Sequence, residues 1–541
     1  MLARSVKLPA PSALHFRYRV VEAFIPLGMK IHGDRPLFGG ECICAVVAAK
    51  QPGAMIRQLW AVLRETRLVE LRLDWLASER EIVRFLCWLR RHPRRRAHAS
   101  LIATCRRREA GGQFAGTAAA QLALLRLASE CGCAWVDLEI ETAERLRQGA
   151  LYRLFRAARV LVSFHDFHRT PSDLAVILRR LKRAGGDAFK IAVQCRTIGD
   201  SLRVLSLASR GPRIVAVPMG EMGLPARILA LRAGSAISYA ALENVTAPGQ
   251  ISFAVMKRLY RAEKLDRRTR VYGLIGDPVS HSLSPQMHNA GFRARGINAV
   301  YLPFLVRDLR DFLRAIKPLG IAGFSVTLPY KEAILRALDD CDPLAMAIGA
   351  ANTVVVRGGG KLYGYNTDYV GVLRALEQRI PLAGSRVLIF GAGGAARAVA
   401  FALTQGGAVV SICARRKQRA RSLARAVGGE LIGRRELRRE FFDAIVNATP
   451  VGMHPHEGRS PLSAADLNCR LVFDLIYRPQ KTKLLQLAER RGIETVSGVE
   501  MFLAQGTAQW EIWTGERAPV SVMRRAALAV LRDERRRRGR P

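Results

Sequence analysis

The chain has 541 residues, of which 49% are hydrophobic and 24% charged, a balance that excludes a fibrous or wholly disordered protein. At about 150 residues per domain the length predicts three or four domains, and no apolar run reaches the roughly 18 residues of a membrane-crossing helix. Lys and Arg number 86 against 45 Asp and Glu, which leaves a net charge of +41.

That charge has two readings. One is a nucleic-acid or other anionic surface as partner; the other is arginine spread over the whole surface. The second is preferred, because the arginines are dispersed, lack interleaved aromatic residues, and form dense runs only around Arg91–Arg96 and Arg535–Arg540. Nucleic acid and membrane are therefore not expected as partners, whereas small anionic substrates are. The ten cysteines include two CxC pairs, Cys42/Cys44 and Cys131/Cys133, but no paired CxxC. No metal is predicted, and buried free thiols in a reducing cytoplasm fit this usage.

Residues 1–37 do not read as a secretory signal, since Arg17, Arg19, Glu22 and Lys30 interrupt their apolar residues. They are read as a poorly ordered extension or a start site placed too early. Eight short apolar β-type runs follow: Ile43–Ala49, Leu68–Leu73, Ser100–Cys105, Ala134–Ile140, Val160–Phe164, Ala188–Val193, Ile214–Pro218 and Ala236–Ala241. Helix-compatible stretches join them, so a parallel sheet is predicted, and eight units suggest a closed (β/α)8 TIM barrel; an open doubly wound sheet is the structural alternative. Glu70, Arg72, Arg106, His165 and Lys190 stand in or at the ends of these runs, where such barrels carry their chemistry.

The charged stretch 263–270 is predicted to be a linker. A second α/β series begins at Val271. A third begins at Arg386, where Val387–Phe390 runs into Gly391-Ala-Gly393-Gly394-Ala395-Ala396 and an Ala-rich helix. This is GxGxxA between strand and helix, the setting a dinucleotide pyrophosphate needs: a tight turn, close backbone approach and free helix N–H groups. The next strand, Val409–Cys413, ends in Arg415, Arg416, Lys417 and Arg419 rather than in an acidic residue. A ribose 2′-phosphate suits that end better than a 2′-hydroxyl does, so NADP(H) is the expected cofactor.

The segments Gly276–Pro285, Phe324–Glu332, Gly349–Thr353, Gly364–Asp368, Asn447–Met453 and Gly498–Gln505 together resemble shikimate dehydrogenase over residues 271–530. The resemblance implies a catalytic pair of Lys331 and Asp368, and substrate contacts from Ser282, Ser284, Thr327, Asn352, Tyr477 and Gln505. It also implies cofactor contacts from Gly391, Gly393, Gly394, Ala395, Arg415, Arg416, Arg419, Thr449 and Gly498. The chemistry is consistent with these residue types. Two serines can serve one carboxylate, and a Lys beside an Asp can supply the proton that a ketone oxygen needs when hydride reaches its carbon. Ala414 stands where the family commonly has Asn.

The first half resembles type I 3-dehydroquinate dehydratase over residues 40–260, on Glu70-Leu-Arg72, His165-Asp-Phe, Lys190, Met219-Gly220…Arg227 and Thr246-Ala-Pro-Gly-Gln250. The resemblance implies that Lys190 forms a Schiff base, that His165 is the general acid/base, and that Glu70, Arg72, Arg106, Arg227, Thr246 and Gln250 bind substrate. A Lys in an apolar strand can be partly neutral, as attack on a carbonyl requires. The family often has an acidic residue directly before Gly-Gly, where this chain has Ala110; either Glu109 substitutes for it or the dehydratase is weaker.

The two resemblances name consecutive steps, so a bifunctional enzyme is expected: 3-dehydroquinate to 3-dehydroshikimate, then NADPH-dependent reduction to shikimate. The alternative is a shikimate or quinate dehydrogenase beside a weak or inactive dehydratase domain. The predicted layout is an extension (1–37), the TIM barrel (38–262), the linker (263–270), a substrate lobe (271–375), a Rossmann NADP lobe (376–497), C-terminal helices (498–534) and a basic tail (535–541).

Overall fold

The computed structural model describes residues 37–538 apart from 94–97, 147–148, 244–245 and 454–455. The predicted extension, but for Leu37, lies outside the described residues, as do Arg94–Arg96 and residues 539–541 of the basic tail.

Each of the eight apolar runs is a strand: β1 (Ile43–Val47), β2 (Leu68–Arg72), β3 (Ser100–Thr104), β4 (Trp135–Glu139), β5 (Arg159–Asp166), β6 (Ala188–Gln194), β7 (Ile214–Met219) and β8 (Ser238–Ala241). They pair in parallel in the order β7-β6-β5-β4-β3-β2-β1-β8. Every residue of β1 to β4 is buried, which is why these segments read as unbroken apolar runs rather than as alternations. The ring differs from a fully laddered barrel at one seam. There β7 and β8 meet through single contacts such as the Ala236 N–H donating to the Ile214 carbonyl at 2.8 Å.

The outer helices follow their sequence signals. In Glu79–Arg91 the Ser78 hydroxyl accepts from the Glu81 N–H at 3.3 Å, Glu79 and Glu81 occupy the first turn, and Arg90 and Arg91 the last. Those charges complement the helix dipole, while Ile82, Phe85, Leu86 and Leu89 form the buried stripe against the sheet.

The second sheet contains β9 (Arg270–Gly276), β10 (Ala299–Leu305), β11 (Ile321–Val326), β12 (Asp340–Cys341), β13 (Thr353–Val356) and β14 (Leu362–Tyr365), in the order β10-β9-β11-β13-β14-β12. Strand β13 is antiparallel to both neighbours. The third sheet contains β15 (Arg386–Phe390), β16 (Val409–Cys413), β17 (Glu430–Leu431), β18 (Phe442–Asn447), β19 (Cys469–Asp474) and β20 (Glu494–Ser497). It is all parallel in the order β17-β16-β15-β18-β19-β20, so strand order reverses beside β15, where such sheets bind nucleotides.

After β20 the helix Gly498–Thr514 returns to the second sheet. Trp513 donates from Nε1 to the Val354 carbonyl at 3.1 Å, and the fully buried Trp510 packs on Phe292. A last helix, Val520–Arg538, continues into the predicted basic tail. Barrel and second sheet are joined by Asp311, whose carboxylate accepts from the backbone N–H groups of Ile198 (2.6 Å) and Gly199 (3.1 Å) at the start of the helix after β6.

Candidate active sites

One cavity opens at the C-terminal ends of the barrel strands. Its wall includes Glu70, Arg72, Arg106, His165, Lys190, Arg227, Thr246 and Gln250, all eight of the barrel residues predicted to act there. Glu70 and Arg72 come from β2, Arg106 from just past β3, His165 from β5 and Lys190 from β6. Arg227 lies on the short helix Leu224–Leu229 after β7, and Thr246 and Gln250 follow β8.

Buried behind this wall is Asp137 of β4, which the sequence reading did not single out. Its Oδ1 accepts from Arg106 (2.7 Å) and from the Ser163 hydroxyl (2.6 Å), and its Oδ2 accepts from Lys190 Nζ (2.9 Å). Burial works to raise its carboxyl pKa, but Arg106 and Lys190 outweigh burial and hold it well below the usual carboxylate range. Lys190 therefore does not sit in an apolar strand environment as its neighbours in sequence suggest. Glu70 also lies 3.6 Å from its nitrogen, and the Tyr239 ring faces it with the centroid 4.2 Å away. The missed signal was an aspartate inside the apolar run Ala134–Ile140, since a buried charge in a strand requires a partner.

Arg106 also reaches His165 Nδ1 at 3.1 Å. A guanidinium only donates, so Nδ1 is the bare nitrogen and Nε2 carries the proton. Burial, then the charges of Arg106 and Lys190, push the imidazole pKa well below 6.5, so the ring is neutral at physiological pH. Arg72 is held by Asp74 through two bonds of 3.0 and 2.8 Å. Arg227 donates to the Pro218 and Pro248 carbonyls, and burial pushes its pKa down to about 10. Gln250 accepts from the Thr246 N–H (2.9 Å) and hydroxyl (3.1 Å).

Of the two outcomes open for the Ala110 position, substitution by Glu109 is not what the fold provides. The Glu109 side chain is 80% exposed and pairs with Arg107, away from His165. The glycines beside it have a packing role. A Cβ on Gly111, at φ +77°, would lie 2.2 Å from the Phe167 ring, and that ring stacks on His165.

The second constellation lies at the ends of β9, β11 and β14. Lys331 Nζ meets Asp368 Oδ2 at 2.5 Å, and Asn352 donates to Asp368 Oδ1 at 2.8 Å. Asn352 is fixed in turn by Thr367, whose N–H donates to its carbonyl at 2.8 Å. Asp368 is the first residue of the helix Asp368–Leu376, and Gln505 packs beside that helix, 3.5 Å from where a Cβ on Gly371 would stand. Ser282 accepts from the Ser284 N–H at 3.2 Å, so the two serines share the turn that opens the helix Ser284–Arg295. Tyr477 stacks on Phe502 of the returning helix and bonds the Ser282 side chain. Thr327 follows β11 directly, its methyl 2.4 Å from where a Gly276 Cβ would be.

The Gly-rich turn is built as a dinucleotide cradle. Gly391 has φ +130°, and a Cβ there would lie 2.9 Å from the Ala448 carbonyl oxygen, while a Cβ on Gly393 would meet nothing. The helix Gly394–Gln405, with Ala395 in its first turn, has no side-chain cap, so its first N–H groups are free for pyrophosphate oxygens. Arg415, Arg416 and Arg419 lie exposed past β16, and Thr449 is fixed beyond β18 by Asn447, which accepts from its hydroxyl at 2.7 Å. Gly498 starts the helix after β20, where a Cβ would meet the Leu475 carbonyl at 2.2 Å. Lys331 Cβ lies 3.0 Å from where a Gly394 Cβ would be, so Lys331 abuts the Gly-rich turn. These residues fit NADP(H): glycine approach for the pyrophosphate and guanidinium groups for the 2′-phosphate.

Known proteins agree with both halves. Residues 43–267 match the family model for type I 3-dehydroquinase, residues 274–354 the shikimate dehydrogenase substrate binding domain, and residues 498–528 the shikimate 5′-dehydrogenase C-terminal domain. The bifunctional 3-dehydroquinate dehydratase/shikimate dehydrogenase, chloroplastic, of Arabidopsis thaliana is 37% identical over 476 residues, which is 84% of this chain and 78% of that protein. The shikimate dehydrogenase (NADP(+)) of Methanopyrus kandleri is 46% identical over 288 residues, 50% of this chain and 98% of its own. A crystal structure of the Thermus thermophilus shikimate 5-dehydrogenase with NADP(H) and shikimate aligns at TM-score 0.45 and 37% identity, covering 48% of this chain and 99% of that one. The chain belongs to the family of bifunctional 3-dehydroquinate dehydratase/shikimate dehydrogenases.

Proposed function

We propose that the barrel, residues 38–262, dehydrates 3-dehydroquinate through Lys190, and that residues 271–534 reduce the resulting 3-dehydroshikimate through Lys331 and Asp368, using the NADPH on which this family's dehydrogenase depends. The observation that carries the first step is the buried Asp137–Lys190–Glu70 arrangement in a cavity lined by Arg72, Arg106 and Arg227. The Lys190 amine can pass its proton to Glu70, 3.6 Å away, and attack a ketone, whose oxygen leaves as water. The resulting iminium draws electrons from the adjacent carbon and makes its proton acidic. Neutral His165 can take that proton on its bare nitrogen and, as imidazolium, return it to the departing hydroxyl, which leaves as water. The arginines bind the substrate carboxylate and hydroxyls.

In the dehydrogenase half, Ser282, Ser284, Thr327, Asn352, Tyr477 and Gln505 bind carboxylate and hydroxyls. Lys331, fixed by Asp368, supplies the proton to the ketone oxygen. NADPH, when bound by Gly391, Gly393, Gly394, Ala395, Arg415, Arg416, Arg419, Thr449 and Gly498, supplies the hydride. Buried thiols such as Cys44, Cys105 and Cys195 support a reducing compartment such as the cytoplasm. No described helix is long and apolar enough to cross a membrane.

The alternative of a weak dehydratase keeps one observation in its favour: no carboxylate reaches His165 from the Ala110 loop. Supplying 3-dehydroquinate with and without NADPH decides between them. Accumulation of 3-dehydroshikimate without NADPH, and NADPH loss with it, are the expected results. No enone product in either case would refute the dehydratase assignment.

A further inference from the structure

The helix Gly498–Thr514 buries a largely apolar face that includes Phe502, Trp510 and Trp513. A glutamine stands among them. Gln509 is 1% exposed, and a buried amide is costly unless its oxygen and its NH2 both find partners. Both do, and the donors all point one way. Tyr301 of β10 donates to the Ser325 hydroxyl of β11 at 2.7 Å, and Ser325 donates to Gln509 Oε1 at 2.8 Å. Gln509 Nε2 donates to the Thr353 hydroxyl at 3.0 Å and to the Asn352 backbone carbonyl at 3.2 Å. Having accepted from Gln509, the Thr353 hydroxyl turns its own proton to Asn352 Oδ1, 2.8 Å away. With its oxygen so engaged, Asn352 presents Nδ2 to Asp368, the partner of Lys331.

From this geometry we propose that Gln509 is a positioning residue for the dehydrogenase. It holds Asn352 by the backbone and, through Thr353, by the side chain, so that the Asn352 amide meets Asp368 and keeps that carboxylate turned to Lys331. Tyr301, Ser325, Gln509, Thr353, Asn352 and Asp368 are all buried, so water does not compete and the aligned bonds reinforce one another. Without the Gln509 NH2, the Thr353 hydroxyl is free to turn to the Thr367 hydroxyl, 3.3 Å away, and release Asn352 Oδ1. Gln509 lies one helical turn beyond Gln505, so one face of the returning helix carries a proposed substrate contact and this brace. The inference rests on the reading of Lys331 and Asp368 as the pair that handles the proton.

The test is Gln509→Met in the full chain, which keeps the bulk and removes both polar ends, beside Thr353→Val, which removes only the relaying hydroxyl. Each should lower kcat for shikimate oxidation about five- to twentyfold, with KM for NADP+ within about twofold. NADPH binding and dehydratase turnover check that both halves are folded, and both should be unchanged. The deciding measurement is a cycle with Asn352→Ala. Because Gln509 acts through Asn352, adding Gln509→Met to an Asn352→Ala chain should change kcat by less than about twofold, whereas an effect on packing alone would multiply. Thr353→Val should behave alike in that chain, which keeps the proposal refutable if Gln509→Met does not fold. A kcat within about twofold of the parent in both single variants would overturn the proposal, and so would losses that multiply in the Asn352→Ala chain. If the unaltered chain does not oxidise shikimate with NADP+, the dehydrogenase reading fails instead, which is a distinguishable result.

Discussion

Asp137→Asn is the most demanding test of the barrel site. The carboxylate neutralises two buried cations at once: the Arg106 and Lys190 side chains are 3% and 6% exposed. An amide of the same shape can still accept from Arg106 and Ser163 through its oxygen, but it presents its NH2 to an ammonium. Removing one partner of a buried pair costs about 3–5 kcal/mol. Glu70 at 3.6 Å from Lys190 and Glu139 at 3.9 Å from Arg106 keep part of the compensation, so about 3 kcal/mol is expected. With a urea m-value of about 2–3 kcal/mol/M, the barrel's midpoint should fall by about 1–1.5 M. Four of the six tryptophans, at positions 60, 75, 88 and 135, lie in the barrel, so intrinsic fluorescence reports mainly this transition. Dehydratase turnover should fall by at least about a hundredfold, the scale of one positioned proton-transfer group, while reduction of 3-dehydroshikimate is unchanged. A midpoint within about 0.2 M of the parent, with dehydratase kcat/KM within about threefold, would refute the view that this carboxylate organises the site.

Lys190→Ala should abolish dehydration and borohydride trapping and leave reduction intact, whereas Lys331→Ala should lower reduction by about 10²–10⁴-fold and spare dehydration; equal loss of both activities in either variant contradicts separate sites. Replacing both Arg415 and Arg419 by Ala should raise the KM for NADPH by about 10–100-fold and leave that for NADH nearly unchanged, since only the former carries the 2′-phosphate. Stability should fall on acidification through His288. Burial pushes its imidazole from 6.5 down to about 3 despite the neighbouring Gln509 side chain. Between those values the unfolded chain binds the extra proton, so stability is full above pH 6.5 and declines below it, by about 2 kcal/mol at pH 5. Denaturation of a His288→Phe variant across that range should show a correspondingly shallower decline.

The sequence alone determined the strand–helix alternation of both halves, because strands covered by helices on their outer face are apolar throughout and leave unbroken runs. It also placed the nucleotide turn, because Gly391, at φ +130° and with the Ala448 carbonyl 2.9 Å from where its Cβ would stand, sits where only glycine fits. The named barrel residues could be found because each lies at or near a strand's C-terminal end, and parallel topology brings all such ends to one face. Tertiary structure alone decided which side chain balances which charge. Asp137 is separated from Lys190 by 53 residues and from Arg106 by 31, and nothing local signals that one carboxylate would serve both. It also decided that Glu109 turns outward. Residue type and spacing fix what a strand presents; only the closing of the barrel sets the ångström distances on which Coulomb energies and hydrogen bonds depend.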